Sequence, residues 1–208
     1  MANDQERQAL IDRIVEEEWR QFQDTTNEGG RASCQGNKPM FTVMRLSQFA
    51  TWPDALLASW LDDLQAADRA GRNLVTEKYA RMMASTVPEE YHRSIEPYLE
   101  PIGEARTAQQ ERIIARQVAW ARDFMARWPG LGAGMRVLAT AQDTPESTSF
   151  ETYLRGELST YSQATLDAYG RFVESLADQG RNLTEDTVGT TVRLSGFASL
   201  EEAERAQS

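Results

Sequence analysis

The sequence predicts an all-α protein, and three observations lead to that class. Apolar residues recur at helical spacing through most of the 208 residues, whereas almost no stretch shows the period of two that a strand requires. Glycine and proline stand between the periodic segments. No large region has the composition of a disordered chain. We therefore expect one all-α domain over residues 1–208.

Helical periodicity, and the glycines and prolines that interrupt it, divide the first half into five helices. They are expected over residues 5–24, 39–50, 54–70, 74–86 and 88–96. Gly71 favours the end of the third helix, and Asn73 can cap the fourth. Pro97 and Pro101 interrupt the chain after the fifth.

The second half repeats the pattern of long and short helices. They are expected over residues 103–128, 149–158, 161–179 and 184–194, with a last one opened by a capping box at Ser199. A loop of about twenty residues, 129–148, separates the first two of these. A loop of that length in a compact domain is usually functional or poorly ordered.

The two halves match in outline when one is shifted by 109 residues. The tetrapeptide Gly-Arg-Asn-Leu occurs at residues 71–74 and again at 180–183. Unrelated amphipathic helices share leucine stripes by chance, but an identical tetrapeptide at a matching helix junction favours duplication. We predict a helical bundle of two tandem repeats, at about 5–100 and 105–208, related by a pseudo-twofold axis.

Composition and charge exclude several classes of protein. A net charge of −10 argues against binding to nucleic acid or to an anionic membrane. The single cysteine, Cys34, cannot form an intramolecular disulfide and fits a reducing compartment. The first residues lack the basic and apolar regions of a signal peptide, and no apolar run approaches a bilayer span of about 20 residues. We therefore expect a soluble, cytoplasmic protein with no nucleic-acid or membrane partner.

The sequence also lacks the usual motifs for metals and nucleotides. Zinc or di-iron ligand spacings are missing, and the glycine-rich residues 130–134 do not form a phosphate-binding loop. We expect no metal and no cofactor. We expect Cys34 to be inert rather than nucleophilic, since nothing in the sequence brings the only histidine, His92, beside it.

Polar, charged and aromatic residues are densest in residues 149–161. Glu151 and Arg155 are spaced i,i+4, as are Tyr153 and Glu157. The ordinary interpretation of Glu151 and Arg155 is an exposed ion pair within one helix, which stabilises the helix by about 0.3–0.5 kcal/mol. A glycine and a hydroxyl-rich end make a plain surface helix less convincing.

Three further stretches could line the same site. Residues 31–35 follow Gly29 and Gly30, which let the backbone approach a ligand, and residues 44–49 add polar side chains. Residues 77–83 place a charged face beside two methionines, which a solvated helix face would explain equally well.

These stretches together suggest a cofactor-independent enzyme that acts on a small, polar, carboxylated, amino-acid-like metabolite by general acid/base chemistry. Lyase, cyclase, isomerase and group-transfer reactions all fit. Arginines hold carboxylates by bidentate contacts, and a glutamate whose pKa is raised by an apolar surround can move protons. The expected catalytic residues are Glu157, Tyr153 and Glu77. The expected substrate-binding residues are Arg31, Ser33, Gln35, Arg45, Gln48, Lys78, Arg81, Glu151, Arg155 and Tyr161.

The same runs resemble a bacterial family known only as a domain of unknown function, DUF4125. The resemblance rests on residues 30–35, 44–49, 71–82 and 149–162 and covers nearly the whole chain. It implies no established activity, although some members are fused to a nucleotidyltransferase-like domain.

Two other interpretations stay open. The site could bind a ligand without turnover, or the chain could present its surface to a protein partner, such as a nucleotidyltransferase-like protein, or to a second copy in a homodimer. A third interpretation is that these residues form a purely structural salt-bridge network. We disfavour it because buried ion pairs often add little stability.

Overall fold

A computed structural model of the chain describes residues 2–25 and 33–207, and that part of the chain is an all-α bundle. Its helices are α1 (Ala2–Gln23), α2 (Lys38–Phe49), α3 (Asp54–Arg69), α4 (Leu74–Thr86), α5 (Pro88–Glu90), α6 (Glu104–Arg127), α7 (Pro129–Ala133), α8 (Phe150–Thr160), α9 (Gln163–Asp178), α10 (Leu183–Leu194) and α11 (Leu200–Ala206). No strand occurs within those residues. The predicted fold class is confirmed.

Side-chain caps explain where most helices begin. An Asn or Ser oxygen at the N-cap accepts a hydrogen bond from a first-turn N–H and so satisfies a donor that the helix cannot. These caps are Asn37, Asn73, Ser149, Ser162, Asn182 and Ser199. Gly71 and Gly180 adopt φ of 70° and 66° just after α3 and α9, a left-handed conformation that suits glycine and ends both helices.

One hydrophobic core draws on both halves of the chain. Aromatic rings lie at its centre, where Phe49 and Trp52 are almost wholly buried and the Trp52 ring packs against Tyr161 and Tyr169. Aliphatic side chains of α1, α3, α6 and α9 surround them. Phe49, the last residue of α2, and Leu154 and Leu158 of α8 belong to this core.

Equivalent helices of the two predicted repeats pair reciprocally. Helix α4 packs along α8, α10 packs against α2, and α3 packs against α9. Gln48 and Glu157, which are 109 residues apart, form a hydrogen bond with each other. Such contacts are those that a pseudo-twofold axis would produce, but the duplication and the repeat boundaries stay predictions.

Two segments differ from the sequence-based expectation. Residues 88–96 form a short helix followed by a π-helical turn, Tyr91–Ile95, rather than one helix. The predicted loop 129–148 contains α7 and a 3₁₀ turn at Thr140–Gln142. Asp143 holds this loop in place because its carboxylate accepts hydrogen bonds from Ser149 N at 2.6 Å, Thr152 Oγ1 at 2.6 Å and the Ser85 hydroxyl.

Candidate functional site

Charged side chains from four helices meet inside the bundle. Glu18 of α1, Arg45 of α2, Lys78 of α4 and Glu157 of α8 are each less than a tenth exposed. Two positive and two negative charges balance one another. We call these four residues, together with Gln48 and Tyr161, the buried charge cluster.

Arg45 and Glu18 form the first half of the cluster. Arg45 donates from Nη2 to Glu18 Oε1 at 2.6 Å and from Nε to Oε2, a forked contact that fixes both side chains. The indole N–H of Trp60 donates to the same carboxylate at 2.8 Å. Glu18 and Trp60 were missed in the sequence analysis. A signal existed, because Glu18 lies between Val15 and Phe22 on the apolar face of α1.

Glu157 forms the second half, and its acceptor sites are filled. Its Oε1 accepts hydrogen bonds from Gln48 Nε2 at 2.6 Å and from the Tyr161 hydroxyl at 3.1 Å. Its Oε2 lies 2.7 Å from Lys78 Nζ and 3.5 Å from Arg45 Nη1. These contacts fix the carboxylate in place and leave it no free site at which to accept a further proton.

The pKa of Glu157 moves in the direction opposite to the one expected. Burial alone would raise it, but the charges of Lys78 and Arg45, with hydrogen bonds from Lys78 and Gln48, outweigh burial and lower it well below the usual range. Burial likewise opposes the charge of Lys78, but Glu157 and Tyr153 raise its pKa. Both groups are ionised at neutral pH, so the expectation that an apolar surround raises the pKa of this glutamate is wrong.

A small cavity of about 30 Å³ adjoins the cluster. Lys78 and Tyr153 border it, with the Lys78 Nζ 3.6 Å from the centroid of the Tyr153 ring. Phe22, Phe41 and Tyr79 supply apolar walls. That volume is close to the space of a single water molecule, about 30 Å³ in the liquid.

Lys78 and Tyr153 keep hydrogen-bond donors at this cavity that the described residues do not use. Lys78 uses one of its three N–H groups on Glu157. The Tyr153 hydroxyl has no hydrogen-bond partner among the residues that the structure describes. The cavity therefore favours an acceptor such as a carboxylate oxygen.

The structure brings six of the predicted site residues together. They are Arg45, Gln48, Lys78, Tyr153, Glu157 and Tyr161. Glu157 accepts a hydrogen bond from Tyr161, four residues after it in the chain. It does not accept one from Tyr153, four residues before it, with which its spacing is the same.

Other predicted residues lie elsewhere. Glu77 pairs with Arg72 through two bonds of 2.8 and 2.7 Å and is not a member of the buried charge cluster. Arg81 donates to the carbonyl oxygen of Glu100. Gln35 is buried and donates to the carbonyl oxygens of Phe22 and Thr25, so it fastens the end of α1.

Glu151 and Arg155 form the ordinary helix-surface pair. Their side chains are 3.0 Å apart at i,i+4 and partly exposed, and Arg155 also binds Glu111 through two bonds. They lie on a different face of α8 from Glu157. Arg31 lies outside the described residues, and the side chains of Ser33 and Cys34 are likewise not described.

A larger open groove, of about 570 Å³, lies near the second Gly-Arg-Asn-Leu segment. Its carboxylates are already paired, since Arg127 binds Asp123 and Glu185, and Arg181 binds Asp186. None of the predicted site residues lines it. We therefore place the candidate site at the buried charge cluster.

Comparison with models of known protein families assigns the chain to a family. The family model for proteins of unknown function named DUF4125 matches residues 8–205. The chain belongs to the DUF4125 family. No curated protein and no solved structure matches this DUF4125 chain.

The described residues of this DUF4125 chain contain no candidate metal cluster and no candidate membrane span. Within residues 2–25 and 33–207, no three His, Cys, Asp or Glu side chains gather closely enough to hold a metal ion. None of the helices in the same ranges has both the length and the apolar composition of a membrane span.

Proposed function

We propose that the chain acts in the cytoplasm and binds a small anionic or zwitterionic metabolite through a carboxylate group at the buried charge cluster. One observation carries the proposal: Lys78 and Tyr153 offer unused donors to a cavity, while Glu157 has its acceptors filled. A ligand acceptor would satisfy donors that the protein leaves free.

Each cluster residue has a separate part in this proposal. Lys78 supplies charge to the ligand carboxylate, and Glu157 holds Lys78 in place. Arg45 is fixed by Glu18 and positions Gln48, whose Oε1 accepts from Arg45 Nη1 at 2.6 Å. The ligand needs more room than about 30 Å³, so the apolar walls must move when it enters.

Cofactor-independent acid/base chemistry is the second step of the proposal. Tyr153 is the proton donor in it, because its hydroxyl is unbonded and the Lys78 ammonium lies beside its ring. Glu157 acts by holding Lys78 rather than by exchanging a proton, since its lowered pKa makes it a weak base.

Native mass spectrometry with metabolite extraction tests the binding step. The wild-type chain is compared with Tyr153→Phe, which removes only the unbonded hydroxyl, and with Arg155→Ala as the matched control on the other face of α8. We expect the wild type and Arg155→Ala to carry the same small carboxylate and Tyr153→Phe to carry less. Equal occupancy in all three variants would refute the assignment. Loss of turnover in Tyr153→Phe, with an identified ligand, separates an enzyme from a binding protein.

A partner-binding module is the second candidate, and one exposed patch favours it. Met40 and Met44, spaced i,i+4 on α2, are 56% and 52% exposed. Flexible exposed methionines are frequent at protein-binding surfaces. Co-purification of a nucleotidyltransferase-like protein or a second copy of this chain, abolished in Met40→Glu, would support it; unchanged co-purification would refute the patch.

A further inference from the structure

The open groove of about 570 Å³ has the volume of a small-ligand site. Ligand pockets in proteins measure about 300–1,000 Å³. One wall of the groove is a face of α6, and the other is the turn between α9 and α10 around Gly180. No residue of the buried charge cluster lines it, so what this groove binds is independent of the proposed function.

Charges of both signs line the groove, and they are not fully paired with one another. The side chains are those of three arginines and three acidic residues, namely Arg116, Arg127, Arg181, Asp123, Glu185 and Asp186. Two of the carboxylates share one guanidinium, that of Arg127, and the third pairs with Arg181. Arg116 is left over, since it makes no hydrogen bond or ion pair with any residue that the structure describes.

The two carboxylates that share Arg127 keep acceptor capacity. Asp123 accepts hydrogen bonds from Arg127 and Asn182 through Oδ2 alone, and Glu185 accepts one from Arg127 through Oε2 alone. Asp123 Oδ1 and Glu185 Oε1 therefore accept nothing from the described residues. Two carboxylates facing one guanidinium also carry a surplus negative charge. This end of the groove favours a cation such as an ammonium group.

Helix geometry separates the unpaired arginine from these carboxylates. Arg116, Trp120 and Asp123 lie at i, i+4 and i+7 on one face of α6. Seven residues of an α-helix rise about 10 Å. Helical side chains lean toward the N-terminus, which carries the long Arg116 side chain away from Asp123 rather than toward it. The groove thus presents a positive and a negative charge about 10 Å apart.

Trp120 provides apolar surface between the two charges. Its side chain packs against the hydrophobic core and also lines the groove. The other wall includes Ala177 and Gly180, and a Cβ placed on Gly180 would meet no atom within 4 Å. The middle of the groove therefore has room for an apolar or aromatic group that packs on the indole ring.

We propose that this groove binds a short peptide of about three residues. Its C-terminal carboxylate binds Arg116, and a central apolar side chain packs on Trp120. Its N-terminal ammonium binds the open oxygens of Asp123 and Glu185. An extended chain spans about 3.4 Å per residue, so three residues cover the distance between the charges. A free amino acid carries both charges on one carbon and is too short to reach both ends.

Titration of the full chain with the tripeptide glycyl-phenylalanyl-glycine and with its C-terminal amide tests the site. NMR of the indole N–H groups follows binding, and Trp120→Phe identifies the signal of Trp120 among the five tryptophans. We expect the tripeptide to shift that signal saturably. The amide, which lacks the carboxylate, should bind about tenfold more weakly, or about 1.4 kcal/mol.

Variants of two neighbouring arginines locate the carboxylate contact. In Arg116→Gln the tripeptide and its amide should bind with equal affinity, because the charge that distinguishes them is gone. Arg112→Gln removes an exposed arginine one turn earlier on α6 that does not line the groove, so it is the matched control and should keep the tenfold difference. Comparing two peptides on one variant guards against a folding defect, which would weaken both equally.

Several outcomes would overturn the proposal. They are a lack of saturable binding, a shift confined to the other tryptophans, equal affinity of the wild type for the two peptides, or loss of the tenfold difference in Arg112→Gln. The N-acetylated tripeptide should also bind the wild type about tenfold more weakly, and undiminished binding would refute the ammonium contact. Tyr153→Phe should bind the tripeptide as the wild type does, so failure of the groove and failure of the carboxylate site are distinguishable.

Discussion

Replacing Glu157 with Gln removes the charge on which half of the buried charge cluster depends. Lys78 Nζ lies 2.7 Å from this carboxylate, and Glu157 is only 4% exposed. Breaking a buried ion pair by removing one partner costs about 3–5 kcal/mol, because the other charge stays buried. Arg45 loses only a contact of 3.5 Å and keeps its forked contact with Glu18, so the main loss falls on Lys78. We therefore expect a loss near the lower end, about 3 kcal/mol.

Urea unfolding followed by tryptophan fluorescence measures this change in the free energy of unfolding. Glu151→Gln is the matched control, since Glu151 is on the same helix and also pairs with an arginine, but is partly exposed. Exposed pairs contribute about 0–1 kcal/mol. The reasoning is refuted if Glu157→Gln costs less than about 1 kcal/mol, or no more than the control.

Three more predictions follow from the same geometry. Because the folded-state pKa of Glu157 is lowered, its stabilisation is complete above the unfolded-state pKa of about 4.3 and is lost as the pH falls below it. Wild type should lose stability more steeply with acid than Glu157→Gln, and equal slopes would contradict this. Gly156→Ala should cost about 1–3 kcal/mol in thermal unfolding, since a Cβ would lie 2.8 Å from Met82 Cγ and 2.9 Å from Lys78 O; wild-type stability would show that α4 and α8 pack less closely. Gly71→Ala and Gly180→Ala should each cost about 1–2 kcal/mol by the same assay, and clearly unequal losses would argue against equivalent turns.

The helices follow largely from local signals in the sequence. Asn73 caps α4 through Thr76 N, and Gly71 ends α3 with a positive φ, as their positions predicted. Caps and left-handed glycines act within one turn of the chain, so neighbouring residues suffice to predict them. The interrupted helix at residues 88–96 escaped prediction because its π-helical turn leaves no simple periodic pattern.

The membership of the candidate site depended on tertiary structure. The sequence singled out Arg45, Lys78 and Glu157 as unusual, but α2, α4 and α8 are far apart in the chain, and only their packing brings these charges within contact. Glu77, which the sequence analysis placed among the catalytic residues, pairs instead with Arg72.

The direction in which the pKa of Glu157 shifts also depended on tertiary structure. From the sequence we expected an apolar surround for the catalytic glutamate, and burial by itself raises a carboxyl pKa. Which charges face that carboxylate depends on long-range packing. In the folded chain Lys78 and Arg45 lie beside it and reverse the shift, because charge–charge attraction at 2.7–3.5 Å in a poorly solvated interior exceeds the cost of burial.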